Sequence, residues 1–117
     1  DEDYGEMASW YVLSAMGFYT VAPGRPVYDI GCPLFEKSTI DLGGGKTFTV
    51  EAPDVSAQNK YIQSATLNGR PIDRPWFTHE ELQQGGTLFL QMGPRPNRSW
   101  GANPEKMPFT DHDAPKN

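Results

Sequence analysis

Polar and apolar positions follow two rhythms along this chain. From Met7 to Met16 every position is apolar except Ser9 and Ser14. That run predicts a helix from Gly5 to Met16, with Gly17 as its C-terminal stop. A helix apolar nearly all round is normally buried on several sides, and the remainder of so short a chain can hardly surround it. After "GFYTVAPGRP" the pattern becomes extended. Val27 to Ile30 is a short strand candidate. In "KSTIDL", Ser38, Ile40 and Leu42 alternate with Lys37, Thr39 and Asp41; Gly43, Gly44 and Gly45 turn the chain. "KTFTVEA" then sets Phe48, Val50 and Ala52 opposite Thr47, Thr49 and Glu51, a hairpin with one wet and one buried face.

Tyr61 to Leu67 predicts another strand, and Asn68-Gly69 after it is a strong two-residue hairpin signal. Thr78-His79-Glu80-Glu81 has the spacing of a capping box, so a short helix is expected from His79 to Gln84, stopped by Gly85 and Gly86. Leu88, Leu90 and Met92 form the inner face of a last strand. The Pro-rich stretch from Gly93 is expected to be extended and anchored by Trp100 and Phe109, with residues 110–117 frayed. The expected fold class is α+β, one N-terminal helix followed by an antiparallel β-sandwich-like module.

Composition narrows the function classes. The chain has 117 residues, enough for one modest core, and a net charge of −5, which argues against nucleic-acid binding. No apolar run approaches the length of a membrane span, and the acidic first residues do not have the pattern of a secretory signal. The one cysteine, Cys32, forms no internal disulfide and is expected to be a small buried hydrophobe. His79 and His112 have no second ligand at metal spacing, so a zinc site is not expected.

The candidate chemistry lies in Asp1-Glu2-Asp3, directly ahead of the apolar helix. In an extended stretch Asp1 and Asp3 point to the same side, roughly 6 to 7 Å apart. The helix N-terminus favours their ionised forms, while each carboxylate disfavours ionisation of the other. Such a pair suits a general base that deprotonates water, or a hard-cation ligand set. The plainer reading is a solvated helix cap. An EF-hand calcium loop fails, because its sixth and twelfth positions would be Glu6 and Val12 where Gly and Glu are required.

The wider stretch "DEDYGEMASWYVLSAMGFYTVAPG" resembles the last barrel helix of the glycoside hydrolase family 92 α-mannosidases. The likeness continues through "IGCPLFEKSTIDL", "GGKTFTVEAP", "YIQSATLNGRP", "THEELQQGGTLFLQMGPRPN" and "WGANPE", almost the whole chain. Ala8 and Thr20 depart from the residues the family often carries there. The resemblance implies that residues 1–20 end with the last stave of an (α/α)6 barrel, that 21–109 form a C-terminal β module, and that 110–117 are a tail. It implies a calcium-dependent, inverting exo-α-mannosidase acting on α-linked mannosides of N-glycan or mannan type. Asp1 and Asp3 would supply the general base, and Asp3 would border the calcium. The general acid, a glutamate, would lie in the N-terminal remainder of the enzyme, so this chain alone would be inactive. The family's commonly exported bacterial members imply a periplasmic, surface or secreted location.

Two rival readings come from other classes. One is a carbohydrate-binding module using Trp76, Phe77 and Trp100 as stacking platforms; the plainer role of these rings is to plug the β module and anchor its tail. The other is a structural accessory domain that makes no use of Asp1 and Asp3. The apolar helix adds an expectation of its own: an isolated chain should hide that surface by pairing with another copy, or let the helix fray.

Overall fold

The computed structural model describes residues 15–20 and 27–102. The elements that lie wholly within these residues are, in order, β1 (Phe18–Thr20), β2 (Val27–Ile30), β3 (Lys37–Gly43), β4 (Lys46–Glu51), β5 (Tyr61–Leu67), β6 (Arg70–Ile72), β7 (Trp76–Thr78), α1 (His79–Gln84) and β8 (Gly86–Gly93). They form a three-stranded sheet, β1-β2-β7, and a five-stranded sheet, β3-β4-β8-β5-β6.

The alternating segments become strands where they were expected. In β4 and beyond it, Phe48, Val50 and Ala52 are buried, and β8 buries Leu88, Leu90 and Met92. On the outer face Thr39 and Thr49, directly paired, share a hydroxyl hydrogen bond of 3.0 Å. Asn68 (φ 53°) and Gly69 (φ 83°) make the tight turn joining Leu67 to Arg70. Both positions need positive φ, which Asn and Gly adopt at least cost. The capping box also forms. Thr78 Oγ1 accepts from Glu81 N–H at 3.1 Å, and the Glu81 carboxylate accepts from Thr78 N–H at 2.8 Å.

One pairing differs from the antiparallel expectation. β4 and β8 are parallel, with Phe48 beside Gly86 and Glu51 beside Phe89. A parallel pair needs a long crossover, and the stretch 52–85, carrying β5 to β7 and α1, supplies it. Because β8 inserts between β4 and β5, the buried middle of the five-stranded sheet is its most continuous apolar strand.

The two sheets share one core. Phe18 of β1, Phe77 of β7 and Phe48 of β4 are all buried. Phe18 and Phe77 meet edge to face at 4.6 Å, and Phe77 stacks on Phe48 at 5.6 Å. Such offset and edge contacts add to what burial alone contributes.

The expected helix over Gly5–Met16 lies outside the described residues up to position 14. Ala15 is helical, and Gly17 has φ 95°, as its assignment as a stop requires. Met16 and Phe18 then belong to the core of the β body. Cys32 corrects an expectation: it is exposed. It sits in the irregular connection after β2, where the next residue, Pro33, turns inward and is buried instead.

Candidate functional site

Asp1 and Asp3, the residues in which the sequence concentrates its chemistry, lie outside the described residues, as does His112. Among the described residues, no group of three or more His, Cys, Asp and Glu side chains could hold a metal ion. A bidentate ion pair and an open cleft lie around β6, β7 and α1.

Arg74 approaches from the turn before β7 and forks onto Glu81. Its Nη1 donates to Oε1 at 2.9 Å and its Nη2 to Oε2 at 2.6 Å. Nη1 also donates to the Trp76 carbonyl at 3.2 Å, and the guanidinium lies 4.8 Å from the centre of the Trp76 ring. Glu81 thus closes the capping box and neutralises an arginine at once. Hydrogen bonds from Arg74 hold its carboxyl below its ordinary range, and the Thr78 N–H adds to this; partial burial opposes both. Only the capping half of this role was readable beforehand, because Arg74 stands seven positions away across a strand.

An open cleft of 670 Å³ lies here, lined by Asn68, Arg70, Ile72, Asp73, Trp76 and Gln84 among others. Its polar walls are largely engaged already. Asn68 Oδ1 accepts from Thr87 N–H at 2.7 Å, and Asp73 Oδ1 accepts from Gly101 N–H at 2.8 Å. A second pair joins the small sheet to α1: the Tyr28 hydroxyl lies 2.7 Å from His79 Nδ1. Burial pushes the Tyr28 hydroxyl pKa up. Nothing in the sequence spacing links these two residues.

Of the three aromatics of the sugar-platform reading, two are engaged by the fold and Trp76 lines the open cleft. Phe77 is fully buried. Trp100 is half-buried, with Nε1 donating to the Ile72 carbonyl at 2.9 Å, and so ties down the segment after β8. Trp76 is half-buried against Arg74. Neither Trp76 nor Trp100 is a fully exposed ring.

Comparison with known proteins decides the family. The family model described as the glycosyl hydrolase family 92 catalytic domain matches residues 1–94. The chain belongs to this family. An inverting mannosidase of family 92 from Bacteroides thetaiotaomicron is 50% identical, with a TM-score of 0.82 over 93% of this chain and 15% of that one. A second family 92 α-mannosidase of the same bacterium is 31% identical, with a TM-score of 0.81 over 95% of this chain and 15% of its own, and has also been seen in complex with mannoimidazole. A secreted glycosidase of Arthroderma benhamiae is 40% identical over 92% of this chain and 14% of its own length. The chain thus spans about a seventh of the length of the relatives it matches.

Proposed function

We propose that this chain is the C-terminal part of a calcium-dependent, inverting exo-α-mannosidase, and that it contributes the general-base carboxylates, Asp1 and Asp3. The observation that carries the reading is the family match from residue 1 to 94 together with 50% identity to an inverting mannosidase. The stretch matched begins at the acidic triplet itself.

Inversion sets what those carboxylates must do. One carboxylic acid protonates the glycosidic oxygen as its bond to the anomeric carbon breaks. A carboxylate on the opposite face takes a proton from water as the water oxygen bonds that carbon. One of Asp1 and Asp3 accepts that proton, and the other raises its basicity by like-charge proximity. The acid belongs to the remainder of the enzyme, so the chain alone does not turn over substrate. Calcium belongs to the whole enzyme too, with Asp3 at its border, and no step is derived through it. The substrates are α-linked mannosides of N-glycan or mannan type. The helix ahead of Gly17 ends the barrel, and the C-terminal β module runs to 109, taking in β1 (Phe18–Thr20) as well as the expected 21–109. The secreted relative supports export, and a bacterial periplasmic or surface location is part of the same reading.

The test uses the enzyme that contains this chain. Proton NMR of fresh hydrolysate from an α-mannoside should show β-mannose first, with the α anomer growing in by mutarotation. The 117-residue chain alone should release none. Initial α-mannose, or calcium-dependent turnover by the isolated chain, would remove the reading.

A further inference from the structure

Asn68-Gly69 is the one Asn-Gly pair in the chain. Such a pair carries covalent chemistry as well as a turn. When the Gly69 backbone nitrogen bonds Asn68 Cγ, the Cγ–Nδ2 bond breaks. The proton of that nitrogen goes to the leaving group, and ammonia departs. Water then opens the succinimide ring at either of its carbonyls. One opening leaves aspartate; the other leaves isoaspartate, with the main chain rerouted through the side chain. Glycine favours ring closure because no Cβ crowds the attacking nitrogen.

The fold sets when this chemistry runs. Asn68 is exposed, so burial does not keep water from it. What holds it is a clip to the start of β8. Its N–H donates to the Thr87 carbonyl at 2.8 Å, and its Oδ1 accepts from Thr87 N–H at 2.7 Å. Its Nδ2 donates to the Gly85 carbonyl at 3.4 Å. A Cβ at Gly86 would lie 2.6 Å from Asn68 Cγ, so the amide rests against a position that only glycine leaves open. Both polar atoms of the amide are tied to the chain around Gly86, and Cγ reaches the Gly69 nitrogen only after they let go. We propose that Asn68 is a modification site at which water converts the asparagine to aspartate and isoaspartate, gated by opening of the Asn68–Thr87 clip.

The change runs one way. Aspartate keeps an acceptor for Thr87 N–H and loses the donor to the Gly85 carbonyl. Isoaspartate adds a methylene to the main chain of the tight turn that sets Leu67 opposite Arg70, so β5 and β6 no longer meet in register. Either product places a new negative charge on the wall of the cleft that Asn68 lines. The inference does not rest on the mannosidase reading.

The test follows Asn68 by peptide mapping and mass spectrometry in the whole enzyme that contains this chain, held at mildly alkaline pH. In enzyme unfolded by urea, Asn68 should convert at least about tenfold faster than in native enzyme. Below the unfolding transition, conversion should rise with urea in step with hydrogen exchange of the Thr87 amide, which reports the clip directly. Gly86→Ala, whose Cβ displaces the Asn68 side chain, should raise the rate in folded enzyme toward the unfolded one. Equal rates in native and unfolded enzyme, or no conversion in urea, would overturn the inference. So would a native rate that ignores Thr87 exchange, or an unchanged rate in folded Gly86→Ala enzyme. The comparisons within the parent decide even where Gly86→Ala fails to fold.

Discussion

The two sheets reach their common core by different means. The centre of the five-stranded sheet is built on long ladders: β4, β5 and β8 have six, seven and eight residues, and β8 is paired along both edges. The three-stranded sheet has strands of three, four and three residues, too short to persist on ladder hydrogen bonds alone. It holds because two of those strands carry a fully buried aromatic, Phe18 and Phe77. Polar locks secure its flank, Tyr28 to His79 and Arg74 to Glu81. Short strands survive where each is plugged and pinned. A ladder needs only a dry face.

The contrast predicts that the small sheet is the more sensitive to a single side chain. Phe77 touches Phe18, Tyr28 and Phe48, so Phe77→Ala should cost about 3–5 kcal/mol. Urea unfolding followed by circular dichroism and tryptophan fluorescence would read it, and the two signals should shift together. A Phe77→Ala chain that loses only the fluorescence transition would show that the sheets unfold separately. Leu90→Ala, in the middle of β8, should cost about 2–4 kcal/mol by the same cavity argument.

Next in size is the lock. Glu81→Gln keeps an acceptor for the capping box and removes the charge that Arg74 pairs with, so it should cost about 1–2 kcal/mol near neutral pH. The sign with pH follows from Arg74's hydrogen bonds, which lower the Glu81 pKa below its ordinary 4.5. The unfolded chain therefore binds that proton more readily than the folded one. The stabilisation is complete above 4.5 and disappears as pH falls through the lower folded value. Thermal melts from pH 7 to pH 3 should show the parent and Glu81→Gln converging in acid. A constant gap would place the lock's contribution in packing.

How much could be read beforehand tracks the same division. The alternation in β3, β4 and β8, the Asn68-Gly69 turn and the Thr78–Glu81 cap are local signals, and each appeared where its residues placed it. β1 and β7 were missed because three residues show no period, and their partner β2 is distant from β7 in sequence. The β4–β8 neighbour relation was hidden too, since alternation is the same whichever way a strand runs. Arg74 escaped for a related reason: its partner sits beyond an intervening strand. The acids Asp1 and Asp3 were legible as a motif, and they lie outside the described residues. Exposed Cys32 shows the limit of residue-type averages, which cannot tell which of two neighbours in a connection turns inward.

The smallest expected effect lies on the rim of the large sheet. Lys37 and Glu51 are 4.0 Å apart and largely exposed, at 67% and 41%, so Lys37→Ala should change stability by less than about 0.5 kcal/mol. A change near that of Glu81→Gln would mean that exposure, and with it the contrast between the two ion pairs, has been misjudged.

The central claim, that the acidic triplet supplies the base of an inverting mannosidase, is tested most directly by azide rescue in the whole enzyme. Asp1→Asn and Asp3→Asn each keep shape and remove a proton acceptor. In the base variant, hydrolysis of an α-mannoside with a good leaving group should fall by about 10²-fold or more. Added azide, a nucleophile that needs no base, should restore consumption of the substrate and yield β-mannosyl azide. Rescue in one of the two variants identifies the residue that accepts the proton. Near-parent hydrolysis by both single variants and by the double variant, or lost activity that azide leaves unrestored in all of them, would contradict the claim.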